Sequence, residues 1–194
     1  MTYFSAEAKR LILIVVALTA TTLPLDQLSK QYAKSHYLLV EDQSDSTIYQ
    51  GRREELVAFG SERIWLSLSK TYVRNHGASW GVWSNLNELW RRPVILVMGL
   101  VATMALYFVA VRLLKSDHYY PAFSLCGVIA GSFGNMLDRL RLGYVVDFLT
   151  LKFGADSLSY ALPSFNVADI VIILSLICLI STIHVPSRPE PKGP

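Results

Sequence analysis

Hydrophobic positions along this chain follow two patterns, long unbroken runs and short alternating ones. Residues 11–25, 93–111, 119–137 and 162–185 form the long runs, and Asp169 is the single Asp, Glu, Lys or Arg inside any of them. A helix needs roughly 20 apolar residues to cross about 30 Å of hydrocarbon. The last three runs approach that length, and the first does so by continuing through Asp26 towards Lys30. The runs therefore predict four transmembrane helices, over about 11–28, 93–111, 119–138 and 162–185. The first has a basic start at Lys9 and Arg10, but Thr22-Leu23-Pro24-Leu25-Asp26 is a poor cleavage site for a signal peptide, so this helix is expected to be retained.

The alternating pattern lies between the first two runs. Leu66-Ser67-Leu68-Ser69 has period two, and Tyr72-Val73 carries the strand-like run to Asn75-His76-Gly77. This predicts a small β-sheet at the membrane surface. Trp83, Leu86 and Trp90 then recur at helical spacing with polar residues between them, the signature of an interfacial amphipathic helix. Sheet and helix together occupy about 64–92. Glu41 to Arg63 is polar without clear periodicity and reads as a short helix or an insert. The Pro-rich segment 186–194 reads as a disordered tail. The expected whole is one membrane domain, mainly α, with a small extracytoplasmic sheet.

Composition agrees with this reading. Of the 194 residues, 52% are hydrophobic and 17% charged, against about a quarter charged in an average soluble domain, and the mean hydropathy is +0.35. A cytosolic Rossmann-type enzyme, a disordered scaffold and a disulfide-stapled module are excluded. The net charge of +3 is spread out and gives no nucleic-acid signal. Cys126 and Cys178 sit inside apolar runs as small hydrophobes. An even number of spans places both termini on one side. The short segment between the third and fourth runs holds only Arg139, Arg141 and Lys152, which favours cytoplasmic termini.

The informative residues are those costly to place at membrane depth: Asp26, Asn135, Asp138, Arg139, Asp147, Asn166 and Asp169. If the third helix runs outward, Asn135, Asp138 and Arg139 share a face at its outer end. Asp26 ends the first span on that side, and Asp147 follows the apolar stretch Gly143-Tyr144-Val145-Val146. Asp169 is expected one to two turns below the start of the fourth helix. Two carboxylates in a partly dry site can share one proton, so that one acts as general base on water while the other polarises a carbonyl. That chemistry needs no metal or cofactor. The four histidines are scattered without ligand spacing, Ser29 and Lys30 face different ways on a helix, and Gly127, Gly131 and Gly134 read as close-packing positions. Asp138 and Arg139 are expected to neutralise each other as a helix-end pair. Asp26 and Lys30, at i and i+4, are either an ordinary ion pair or a substrate contact.

Five motifs appear in order: Asp26-Gln27-Leu28-Ser29-Lys30, Asn75-His76-Gly77-Ala78-Ser79-Trp80-Gly81, Gly131-Ser132-Phe133-Gly134-Asn135-Met136-Leu137-Asp138-Arg139, Val145-Val146-Asp147-Phe148 and Phe165-Asn166-Val167-Ala168-Asp169. Together they resemble bacterial lipoprotein signal peptidase, the type II signal peptidase, over nearly the whole chain. The resemblance implies an intramembrane aspartyl endopeptidase of the bacterial inner membrane, with its site near the periplasmic face. Such an enzyme cleaves a prolipoprotein just before its diacylglyceryl-modified cysteine. It implies Asp147 and Asp169 as the catalytic pair, with Asp26, Lys30, Asn75, Gly131, Asn135, Arg139 and Asn166 supporting the site or contacting substrate. Its implied partners are lipidated prolipoprotein signal peptides and membrane lipids, with no nucleic acid, no metal, no cofactor and a monomeric enzyme. The chain departs from the family's usual pattern at Ser79 and Trp80 and in the length of Glu41 to Arg63. An inactive lipoprotein-binding homologue and a small proton-coupled transporter are the alternative readings.

Overall fold

The computed structural model describes residues 6–37, 54–61, 64–77, 87–155 and 158–183. Each apolar run becomes a helix, and each helix differs from its expected limits for a local reason. Helix α1 spans Ala6–Tyr37, well past 11–28, because its C-terminal part is amphipathic: Asp26, Lys30, Ala33 and Tyr37 are all buried and recur at helical spacing. At 1.5 Å per residue it is about 48 Å long, more than the hydrocarbon thickness. Two strands follow, β1 (Glu54–Gly60) and β2 (Ile64–Asn75). Helix α2 spans Glu88–Lys115 and starts before Pro93, because the Asn87 side chain accepts from Leu89 N at 3.0 Å and caps it there. Trp90 thus belongs to the first turn of α2, and the other two anchors of the expected surface helix, Trp83 and Leu86, lie outside the described residues.

Helix α3 spans Tyr119–Arg141 and packs against all three other helices. Its glycines explain how it fits there. A Cβ on Gly127 would strike the Ser175 side chain, and one on Gly131 would lie 2.8 Å from the Ala168 carbonyl oxygen. The expectation that these are close-packing positions holds. The chain then enters β3 (Val145–Ala155) and β4 (Leu158–Ala161) before α4 (Val167–Ile183). Residues 162–166 are therefore not helical, contrary to a span starting at Leu162. They are drawn into the sheet instead, where Phe165 bridges to Leu149 and Leu162 N donates to Leu151 O at 2.8 Å.

The sheet is antiparallel with strand order β1-β2-β3-β4, larger than the alternation of residues 66–73 alone predicted. β1 arises within the stretch expected to be a short helix or an insert, and the rest of that stretch, 41–53 and 62–63, lies outside the described residues, as does the tail 186–194. The sheet joins the bundle through a core of Ala33, Tyr37, Tyr72, Val146 and Phe148. A second core of Leu11, Ala110, Leu125 and Cys126 ties α1, α2 and α3 together at the other end. By length and composition α1 and α2 each suffice to cross a membrane, whereas the apolar part of α4, Val167–Thr182, is shorter.

Candidate active site

The site is built on the first turn of α4. Asn166 precedes the helix, its Oδ1 accepting from Asp169 N at 3.0 Å, while Asp169 Oδ2 accepts from Asn166 N at 3.1 Å. This is a reciprocal capping arrangement of N-cap and third helical residue. It places Asp169 in the first turn of α4, and not one to two turns inside it. A carboxylate there is stabilised by the helix dipole and by backbone N–H groups that would otherwise lack partners. Asp26 reaches the same turn from α1, with Oδ1 accepting from Ala168 N at 3.0 Å.

Asp147 comes from β3 and is 2% exposed. The Asn166 Nδ2 group donates to its Oδ1 at 2.7 Å, and Asn75 Nδ2, at the end of β2, donates to its Oδ2 at 3.0 Å. Asn135 on α3 donates from Nδ2 to Asp169 Oδ1 at 2.7 Å. Asn166 is the common element, binding Asp147 through its side chain and Asp169 through its backbone and side chain. All these donors are neutral. Burial and then the proximity of Asp169 push the Asp147 carboxyl up to about 7, against the opposing pull of the Asn75 and Asn166 hydrogen bonds.

Beside this pair lies a cluster that does carry a lysine. Lys30 Nζ sits 2.7 Å from Asp26 Oδ2 and 2.8 Å from Asp138 Oδ2, and it donates to Asn135 Oδ1 at 3.0 Å. Asp138 is 2% exposed and also accepts from Gln27 Nε2 at 2.8 Å and Val146 N at 3.2 Å. The expectation that Asp138 and Arg139 neutralise each other is corrected here. Asp138 pairs with Lys30 of α1. Arg139 turns away and donates from Nη2 to the Gly77 carbonyl at 3.0 Å and from Nη1 to the Asn135 carbonyl at 3.4 Å. Its guanidinium lies within electrostatic reach of Asp147, Asp169 and Asp138.

The structure thus gathers every residue singled out in the sequence. Asp26, Lys30, Asn75, Asn135, Asn166, Asp147 and Asp169 share one hydrogen-bond network, Arg139 borders it, and Gly131 lets α3 approach the first turns of α4. Two contributors were not singled out: Gln27 bonds Asp138, and the Val146 N–H ties β3 to the lysine cluster. Both stand inside the quoted motifs, which was the available signal. Gly134, expected as a close-packing position, has no room for a side chain because a Cβ would lie 2.6 Å from Asp26 Oδ2. Among the described residues no three His, Cys, Asp or Glu side chains are grouped to hold a metal ion. Chemically, two adjacent carboxylates with neutral donors around them suit proton transfer to and from a water molecule.

Residues 18–185 match the profile of the family described as signal peptidase (SPase) II. A lipoprotein signal peptidase of Streptococcus agalactiae serotype V is 31% identical over 167 residues, covering 86% of this chain and 89% of that protein. One of Geobacter metallireducens is 39% identical over 111 residues, 57% of this chain and 64% of its own length. A solved bacterial membrane enzyme, 21% identical, superposes with a TM-score of 0.58 over 93% of both chains and shares the fold.

Proposed function

The chain belongs to the signal peptidase (SPase) II family, and from that premise we propose that it is a membrane-embedded aspartyl endopeptidase that removes the signal peptide of diacylglyceryl-modified prolipoproteins. The observation that carries the proposal is the pair Asp147 and Asp169, both held by Asn166 and otherwise by neutral amides. Such a pair relieves its mutual repulsion by sharing a proton. The ionised carboxylate takes a proton from water as the oxygen attacks the carbonyl before the lipidated cysteine. The protonated one donates to the carbonyl oxygen, giving a neutral tetrahedral intermediate. Its collapse breaks the C–N bond, and the amine of the lipidated cysteine leaves with the proton first taken from water. A hydroxyl of the intermediate gives its proton to the other carboxylate as the C=O bond re-forms, so the pair returns to its starting protonation.

In this reading the remaining site residues have distinct roles. Asn75, Asn135 and Asn166 orient the carboxylates. Asp26, Lys30 and Gly131 fix α1 and α3 against α4, and Arg139 offers its guanidinium to the carboxylates or to substrate carbonyls. All four helices span the inner membrane with both termini cytoplasmic, and the site lies near the periplasmic face. The substrate helix enters sideways from the bilayer as a monomeric enzyme receives it, and its two acyl chains stay among membrane lipids. The carboxylates of the site gather at one end of the bundle, which supports hydrolysis over an ion relay spread through the membrane.

The substrate class is tested with proteoliposomes holding the full chain, given one prolipoprotein with and without its diacylglyceryl group. Cleavage before the cysteine of the lipidated form alone is expected. Equal cleavage of both forms would remove the lipid from the account.

A further inference from the structure

His76 stands between two residues that touch the site and takes no part in the hydrolysis described above. Asn75 before it donates to Asp147 Oδ2 at 3.0 Å, and the Gly77 carbonyl after it accepts from Arg139 Nη2 at 3.0 Å. The ladder between β2 and β3 ends at the pairing of Asn75 with Val145, so beyond it strand pairing no longer holds the backbone. One restraint on the turn is local. Gly77 N donates to Asn75 Oδ1 at 3.1 Å, an Asx turn that uses the oxygen of the same amide whose nitrogen serves Asp147. His76 adds a restraint from two further elements. Its Nδ1 lies 3.4 Å from Arg91 Nη2, near the start of α2, and its ring centroid lies 5.2 Å from that of Tyr144, the residue before β3. Arg91 is 4% exposed, so its guanidinium is held in place by packing. A guanidinium can only donate, so Nδ1 accepts and is unprotonated in this contact. Arg74, 5.2 Å over the Tyr144 ring, is a second cation nearby and favours the same neutral form.

We propose that His76 is a positioning residue for hydrolysis, accepting from Arg91 so that the turn Asn75-His76-Gly77 keeps the Asn75 amide on Asp147. An amide that accepts from the backbone two residues on and donates to a carboxylate takes its orientation from the residue between. If residue 76 swings, both ends of that amide move with it. Helix α2 packs chiefly on α3, and the contact of Arg91 with His76 joins its start to the sheet. A shift of α2 there reaches Asp147 through two side chains. This role rests on the reading of Asp147 as catalytic, but the hydrogen bond it protects can be measured without substrate.

The test follows the Asp147 carboxyl directly. The full chain is reconstituted in bilayers and its carboxyl C=O absorption is titrated through neutral pH by infrared difference spectroscopy, the Asp147 band being the one lost in Asp147→Asn. The charged groups facing Asp147 are Asp169 on α4, Lys30 on α1 and Arg139 on α3, and all variants retain them. His76→Phe keeps a ring and loses the acceptor, His76→Leu loses both, and His76→Asn loses the ring but places Oδ1 where Nδ1 stood. The Asn75 bond favours the ionised carboxyl. His76→Phe and His76→Leu are therefore expected to raise the Asp147 midpoint by up to about one pH unit. Their kcat on a lipidated peptide should fall roughly tenfold with KM little changed. His76→Asn should restore the parent midpoint, and His76→Phe added to Asn75→Ala should move it no further. An unmoved midpoint in both His76→Phe and His76→Leu overturns the proposal, whether or not stability falls. A rise in KM alone makes His76 a substrate contact and overturns it as well. If the parent cleaves nothing, the proposed function fails, while the midpoints still decide whether His76 positions Asn75.

Discussion

Two pairs of carboxylates lie side by side in this molecule, three of the four buried and Asp169 half-buried, and they are held in opposite ways. Asp26 and Asp138 close on the Lys30 ammonium at 2.7 and 2.8 Å. Asp147 and Asp169 receive only neutral donors, the amides of Asn75, Asn135 and Asn166 and the backbone N–H of Asn166. Asn135 touches both sets, accepting from Lys30 on its oxygen and donating to Asp169 from its nitrogen. A lysine between two carboxylates offsets their charge and makes a strut between helices. Amides fix the geometry of a carboxylate without cancelling its charge, so the second pair is left to relieve its repulsion with a proton. One set is structural and the other is suited to chemistry, although both are aspartates at the same end of the bundle.

The difference can be broken from the structural side. Lys30→Met leaves Asp26 and Asp138 buried without a cation, and stability is expected to fall by about 3–5 kcal/mol, measured by denaturant unfolding in detergent. Asn166→Ala strikes the other set. It removes the cap of α4, at a cost of about 1 kcal/mol, together with the donor to Asp147, so cleavage should fall much further than stability does. Unfolding and initial-rate measurements on the same preparation separate the two losses.

A subtler change sharpens the role of the neutral donors. With the Asp147 carboxyl pushed up to about 7, raising the pH through 7 strips the shared proton, and activity is expected to fall on that side. Asn75→Ala removes a hydrogen bond that favours the ionised form, so the falling limb should move up by about one pH unit. The same carboxyl links to stability. Its folded value lies above the unfolded one of about 3.9, so its stabilising contribution is full below about 4 and is lost as the pH rises through 7. Unfolding midpoints between pH 5 and 8 should show this slope in the parent and not in Asp147→Asn.

Much of the site was legible because charge at membrane depth is scarce. Asp169 stood out as the single charged residue of its apolar run, and the ordered motifs supplied Asp147. What the residues did not reveal was pairing across distance. Asp138 next to Arg139 looks like a local pair, yet its partner is Lys30 on α1, and only the fold shows that α1 brings Lys30 against that part of α3. The depth of Asp169 was misjudged because Leu162 to Phe165 look like part of a membrane run. They are taken by the sheet through the Phe165–Leu149 bridge, which moves the helix start to Val167. Strand β3 was hidden for a related reason. Leu149, Leu151 and Phe153 alternate with Thr150 and Lys152, a strand pattern, but the segment follows an apolar stretch at the boundary of a span.

The central claim is that Asp147 and Asp169 perform hydrolysis while Asp26 and Asp138 hold the bundle. The most direct measurement is cleavage of a lipidated prolipoprotein peptide in bilayers by the parent, Asp147→Asn and Asp169→Asn, with unfolding of each followed in parallel. Each substitution is expected to lower the rate by roughly 10²–10⁴-fold while the protein remains folded. Cleavage at the parent rate by either variant would contradict the account.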